Sequence, residues 1–145
     1  MGEIRHFIAI EAEPGKVYQA LTTSAGLASW WTADARIDPR PVGAAEFGFD
    51  RRAVVFRMKV ERLEPGRTLV LSCSGDEPRW ANTRPTWELE RDGGGRKITT
   101  NLRFVQTGLD PLDDYWASCN STWGELMFRL KGHLEDKRPG PHWRE

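Results

Sequence analysis

The hydrophobic period changes three times along the chain. From 4 to 11, Ile4, His6, Ile8 and Ile10 fall on one face of an extended segment, with Arg5 and Glu11 on the other, which predicts a first strand. Pro14 stands where a first helical turn tolerates it, and Val17, Tyr18, Ala20 and Leu21 make an apolar stripe that ends in Thr22-Thr23. Ser24 is placed to cap a second short helix, in which Leu27 stacks over Trp30 and Trp31. Beyond the Pro39 and Pro41 loop the period becomes two and a sheet is expected to begin. Phe47 and Phe49 share a face, and Val54, Phe56, Met58 and Val60 form the dry face of the next strand against Arg57, Lys59 and Glu61. Pro65-Gly66 turns the chain into the alternating Leu69, Leu71 and Cys73, and a polar loop runs from Gly75 to Pro85. Trp87 and Leu89 oppose Glu88 and Glu90, Asp92-Gly93-Gly94-Gly95 signals a hairpin, and Ile98, Thr100, Leu102 and Phe104 complete an antiparallel meander.

A helical period then takes over. Asp110-Pro111-Leu112-Asp113-Asp114 supplies an N-cap acid, a Pro at the first helical position and two acids near the positive dipole end. Leu112, Trp116, Cys119, Trp123, Met127, Leu130 and Leu134 form one narrow stripe, opposite Ser118, Glu125, Arg129 and Asp136, and Phe128 points away from it. A helix from Pro111 to near Lys137 would be about 40 Å long. Pro139, Gly140 and Pro141 stop it and leave a tail with His142 and Trp143. Every one-faced strand needs the same apolar cover, and this helix is the element large enough to give it. The expected fold is therefore α+β: a curved antiparallel sheet wrapped around a long C-terminal helix, with two short helices after strand one and an apolar cavity between sheet and helix. A single domain over 1–145 is expected, with its core at about 3–136 and a tail at 138–145.

Composition narrows the function. The chain has 145 residues with 21 Lys plus Arg against 21 Asp plus Glu, so there is no net basic field to gather nucleic acid. No apolar run approaches the roughly 20 residues that cross a bilayer, so membrane insertion is not expected. Two cysteines and the absence of a secretory-type apolar segment near Met1 suggest a cytoplasmic protein with reduced thiols. Neither CxxC nor HExxH occurs and the three His are scattered, so no metal or other cofactor is expected. The Gly93-Gly94-Gly95 run opens no helix and is no phosphate loop. Seven tryptophans, at 30, 31, 80, 87, 116, 123 and 143, suit a bulky core or a wall facing a flat apolar guest.

Several stretches together resemble a known family. Glu11-Ala12-Glu13-Pro14 with Val17-Tyr18-Gln19-Ala20-Leu21-Thr22 and Leu27-Ala28-Ser29-Trp30-Trp31 is similar to the N-terminal signature of the SRPBCC (START-like) superfamily, in its branch of activator of heat-shock-protein-90 ATPase homologues. Val60 to Leu69, Trp87 to Thr99 and Ser121 to Glu135 resemble that branch's sheet-turn-sheet, hairpin and closing helix. Thr122 stands where the family often has Gly before the helix Trp. The resemblance implies a helix-grip fold (START-like, birch-pollen-allergen-like) and a hydrophobic-ligand or interaction domain, since its relatives include cyclases, lipid or polyketide binders and co-chaperones.

The residues expected to wall the cavity are Trp30 and Trp31 at its entrance, with Phe47, Phe49, Phe56, Met58, Trp87, Leu102, Phe104, Trp116, Trp123 and Met127, all of which also serve as ordinary core. Thr100 and Asn120 are placed to offer a hydrogen bond to a guest, or to bond backbone or water. His6 reads as core without a visible partner, Cys73 and Cys119 as buried inert thiols, and Asp113 and Asp114 as dipole compensation. The leading expectation is a non-catalytic module that binds a small apolar or aromatic molecule. Contact with a chaperone, or self-association through Phe128, is the alternative. A cyclase or aromatase would need a titratable group in the cavity, for which His6 is the one modest candidate.

Overall fold

A computed structural model describes residues 2–74, 78–93, 95, 97–109 and 111–145. The elements follow in the order β1 (Gly2–Ile10), α1 (Pro14–Thr22), α2 (Ser24–Ala28), β2 (Asp34–Ile37), β3 (Ala44–Phe49), β4 (Val54–Glu64), β5 (Thr68–Cys73), β6 (Arg84–Asp92), β7 (Thr99–Leu109) and α3 (Asp114–Leu134). Among the described residues seven antiparallel strands form one sheet, in the order β1-β7-β6-β5-β4-β3-β2. The sheet curves around α3, which is the helix-grip fold.

The period-two faces converge on one core. Ile4, Ile8 and Ile10 of β1, Met58 and Val60 of β4, and Leu102 and Phe104 of β7 are buried, and they meet Val17 and Leu21 of α1 and Trp123, Met127 and Leu130 of α3. Each such side chain contributes roughly 1.5–3 kcal/mol when fully withdrawn from water. Register carries the same logic: Trp87 lies opposite Phe104 and Leu89 opposite Leu102, so β6 and β7 present their rings side by side.

The structure differs from the sequence expectations at several places, each for a physical reason. The sheet begins before the proline loop, because β2 pairs Ala35 with Phe47 and Ile37 with Ala45. Thr23, not Ser24, caps α2: its hydroxyl accepts from the Gly26 N–H at 2.9 Å, while the Ser24 hydroxyl accepts from the Ile37 N–H. α2 ends at Ala28, so Trp30 and Trp31 lie in the turn that follows. The long helix begins one turn later than expected. Asp113 is its N-cap, accepting from the Trp116 N–H at 3.1 Å, and Asp110 lies outside the described residues. At 21 residues α3 is about 31 Å long, and Leu112 is 64% exposed rather than part of the buried stripe. The Asp92-Gly93-Gly94-Gly95 signal marks the β6–β7 connection, but pairing ends at Asp92–Thr99, which lengthens the turn; Gly94 lies outside the described residues.

Close approach of the helix to the sheet occurs at Gly124, one residue after Trp123. A Cβ there would sit 3.3 Å from Cε1 of His6, so β1 and α3 pack nearly backbone to ring. Near the other end, Lys131 Nζ donates to the Ala9 carbonyl at 2.6 Å and the Glu11 N–H donates to the Glu135 carboxylate at 2.8 Å. α3 is thereby fastened along β1, and its opposite flank is left to bound a cleft.

Candidate ligand cleft

That flank carries Tyr115, Ser118, Cys119, Thr122, Trp123 and Leu126, which recur at three- and four-residue spacing and so stand on one side of the helix. Phe49 of β3 and Val54 and Phe56 of β4 form the facing wall, Trp31 the floor, and Trp80 and Trp143 the two ends. Together they enclose a cleft of about 250 Å³ that opens to the surface.

The rings hold one another. Trp31 stacks on Phe47 at 4.1 Å between centroids and meets Trp123 at 5.1 Å. Phe56 lies 4.7 Å from Trp80 and 5.2 Å from Phe49, whose other side takes the Trp143 edge at 4.8 Å. Such pairs add roughly 0.5–1.5 kcal/mol each beyond area burial, so the walls are stiff.

A buried polar chain sets their positions. The Trp123 Nε1–H donates to Gln106 Oε1 at 2.8 Å, Gln106 Nε2 donates to the Thr83 hydroxyl at 3.1 Å, and that hydroxyl donates to the Trp80 carbonyl at 2.7 Å. Gln106 and Thr83 are fully buried, so every link is made away from competing water. The chain fixes the Trp123 ring and ties the 78–83 turn, with Trp80, to β7. Gly108 lets that turn come close: its φ is 92°, and a Cβ would lie 3.3 Å from the Asn82 carbonyl oxygen.

The lining residues among those described carry hydroxyls and one thiol but no carboxylate, ammonium or imidazole. The two cysteines differ. Neither is in a disulfide, yet Cys73 is buried on β5, where desolvation pushes its pKa up to about 11 against the opposing pull of its Thr83 bond, whereas Cys119 is half-buried in the cleft. At one lip Asp50, Arg51 and Arg52 hold φ of 53°, 55° and 67°, a run of left-handed residues that costs about 1–2 kcal/mol apiece. Arg52 spans from there to Asp34 at 2.6 Å and to Glu46, and Arg51 reaches Glu145 at 2.8 Å. No group of three or more His, Cys, Asp or Glu among the described residues is placed to hold a metal ion.

Of the residues proposed from sequence, Trp31, Phe49, Phe56 and Trp123 line this cleft. Trp30 is not at the entrance: it is wholly buried, and its indole N–H donates to the Ala20 carbonyl at 3.0 Å. Phe47, Met58, Trp87, Leu102, Phe104 and Met127 are core beneath or beside the cleft. Thr100 is fully buried and its hydroxyl donates to the Ala12 carbonyl at 2.7 Å, so its hydrogen is spent on backbone. Trp116 and Asn120 lie one position round the helix from the lining residues, in the row that carries Gly124 and Lys131 onto β1. His6 stands in that same junction and not in the cleft. Ser118, expected on the far side of the helix, is at the rim. Trp80, Trp143, Tyr115, Thr122 and Leu126 are lining residues that the sequence pattern did not single out.

An antiparallel sheet gripping one long helix, with an aromatic cleft along the helix flank, defines a START-like domain of the SRPBCC superfamily. The chain belongs to the family described as activator of Hsp90 ATPase homolog 1-like protein, whose model matches residues 11–135. It is similar to the solution structure of the Aha1 dimer from Colwellia psychrerythraea, with 33% identity and a TM-score of 0.80 over 93% of this chain and 97% of that one. A Mesorhizobium loti protein, MLL2253, has the same fold at 21% identity and a TM-score of 0.77, covering 94% of this chain and 98% of its own. So does DynU16, from the dynemicin biosynthetic locus, at 22% identity and a TM-score of 0.72, with 98% of this chain matched to 51% of that one. No helix among the described residues is long and apolar enough to cross a membrane.

Proposed function

We propose that this protein binds a small, uncharged aromatic molecule in the cleft along α3, as a carrier or sensor domain rather than an enzyme. The observation that carries this is the lining itself: about 250 Å³ bounded by aromatic rings, with Ser118 and Thr122 adding hydroxyls one helical turn apart. A dry cavity of about 150 Å³ is enough to hold benzene, so this volume suits a guest of one or two rings. Affinity would come from desolvating the guest between rings, and orientation from the hydroxyls. A charged guest would lose its hydration with no opposite charge among the described lining residues to replace it.

Calorimetric titration with 2-naphthol is the test. Saturable one-site binding is expected, and Thr122→Trp, which fills the cleft from the helix side, removes it while leaving the melting temperature within a few degrees. Absence of saturable binding by the native protein, or undiminished binding by the Thr122→Trp variant, would refute the proposal.

A second reading is protein contact. It is favoured by Phe128, 65% exposed on the outer face of α3, and by the Colwellia relative being described as a dimer. If Phe128 anchors a self-association, or a chaperone contact of the kind in the family's name, Phe128→Glu lowers the mass seen by light scattering or abolishes stimulation of an Hsp90 ATPase. Unchanged behaviour in both assays removes it.

A further inference from the structure

The family match ends at residue 135, yet one end of the cleft is closed by Trp143. We infer that residues 137–145 are a strap whose docking sets the size of guest the cleft admits, with Trp143 as the specificity-determining residue. The inference rests on ligand binding in the cleft as proposed above.

The strap is seated by backbone pairing around the floor of the cleft. Thr32 and Trp143 form a parallel bridge. The Ala33 N–H donates to the Trp143 carbonyl at 2.8 Å, and the Trp143 and His142 N–H groups donate to the carbonyls of Trp31 and Trp30 at 3.1 and 3.3 Å. The floor ring and the end ring are thus held in one register. Side chains then tie the strap to β3, to α3 and to the β3–β4 turn. Trp143 sets its edge against Phe49 of β3, Arg129 of α3 donates to the carbonyls of Pro139 and Gly140 at 3.2 and 2.9 Å, His142 faces Glu125 of α3, and Glu145 pairs with Arg51 in the β3–β4 turn.

Of these ties the Arg51–Glu145 pair is exposed, where ion pairs are weak. Releasing the strap breaks three backbone hydrogen bonds and leaves the sheet ladders whole, so it belongs to the low-energy end of local opening. Its path is also strained at Arg138, whose φ of 50° is a conformation kept only while the contacts around it persist. An undocked strap removes one wall and lengthens the cleft, so larger guests compete best when Trp143 is absent.

The test uses the full chain and two neutral probes, 2-naphthol with two fused rings and N-phenyl-1-naphthylamine with three rings. Trp143→Ala should shift the ratio of the two affinities toward the larger probe by about tenfold, and Trp143→Phe by less. In the native protein, 2-naphthol at about ten times its dissociation constant should slow hydrogen exchange at the Ala33 amide by about tenfold, because the guest favours the docked strap. The exchange measurement stands even if Trp143→Ala folds poorly. An unchanged affinity ratio in Trp143→Ala, or Ala33 exchange indifferent to the guest, overturns the strap while native binding of 2-naphthol upholds the cleft. If neither native protein nor variant binds either probe, both proposals fall.

Discussion

The Trp123 indole N–H and the Gln106 carboxamide oxygen meet at 2.8 Å, with both side chains sequestered from water. Gln106→Leu keeps the volume but leaves the Trp123 donor unpaired in a dry site and takes the carboxamide from Thr83. The expected loss is about 2 kcal/mol of folding stability, from desolvation without compensation. Urea titration measures it. Trp123→Phe should then cost less in the Gln106→Leu background than alone, by at least about 0.5 kcal/mol. A loss under 0.5 kcal/mol for Gln106→Leu would mean that the chain Trp123–Gln106–Thr83 does not hold the cleft.

Cys73 predicts a pH dependence whose sign is fixed. Burial raises its pKa from 9.0 to about 11, so above pH 9 the unfolded thiol loses its proton while the folded one keeps it. The contribution is whole below about pH 9 and is lost as pH climbs toward 11. Two pH units correspond to an upper bound of about 2.7 kcal/mol. Urea midpoints of the native protein and Cys73→Ala, compared between pH 7 and 10.5, should draw together with rising pH. Parallel profiles would show that the thiol titrates alike in both states.

Gly124 and His6 predict a coupled pair. Gly124→Ala gains about 0.8–1 kcal/mol of helix propensity but presses a methyl onto the imidazole. Alone it should be close to neutral. In a His6→Ala background the contact is relieved and the propensity gain should appear in full. Equal effects in the two backgrounds would show that the ring yields freely.

How far the fold was legible follows from what each element buries. β4 and β6 alternate over many residues with one wet face, and α3 ends in strong breakers, so their patterns left little choice. β2 escaped because Asp34-Ala35-Arg36-Ile37 is short and charged at alternate positions, and its order comes from pairing with β3. Asp110 and Asp113 are both cap-type residues at helical spacing, and sequence alone could not choose between them.

Apart from Trp31, in the turn after α2, the cleft was legible where a regular element carries it. Phe49 and Phe56 stand on strands and Trp123 on the helix, so period placed them. Trp80 sits in a turn and Trp143 in the tail, where no period fixes a facing, and the tryptophan count was the only signal of either. The apolar stripe of α3 marks its buried residues, Trp123, Met127 and Leu130 among them, and so does not separate the cleft wall from the core. An open cleft leaves part of its own wall exposed, which is why Ser118 passes for solvent face.

The stitching of Lys131 to Ala9 and Glu135 to Glu11 has a bearing on solubility. β1 is the long outer strand of the sheet, and an unguarded border of that length is a template on which a second chain can extend the ladder. An ammonium and a carboxylate from the last helical turns occupy backbone positions at its C-terminal end. Mutating both would expose new docking sites for β-polymer growth without touching a single core residue.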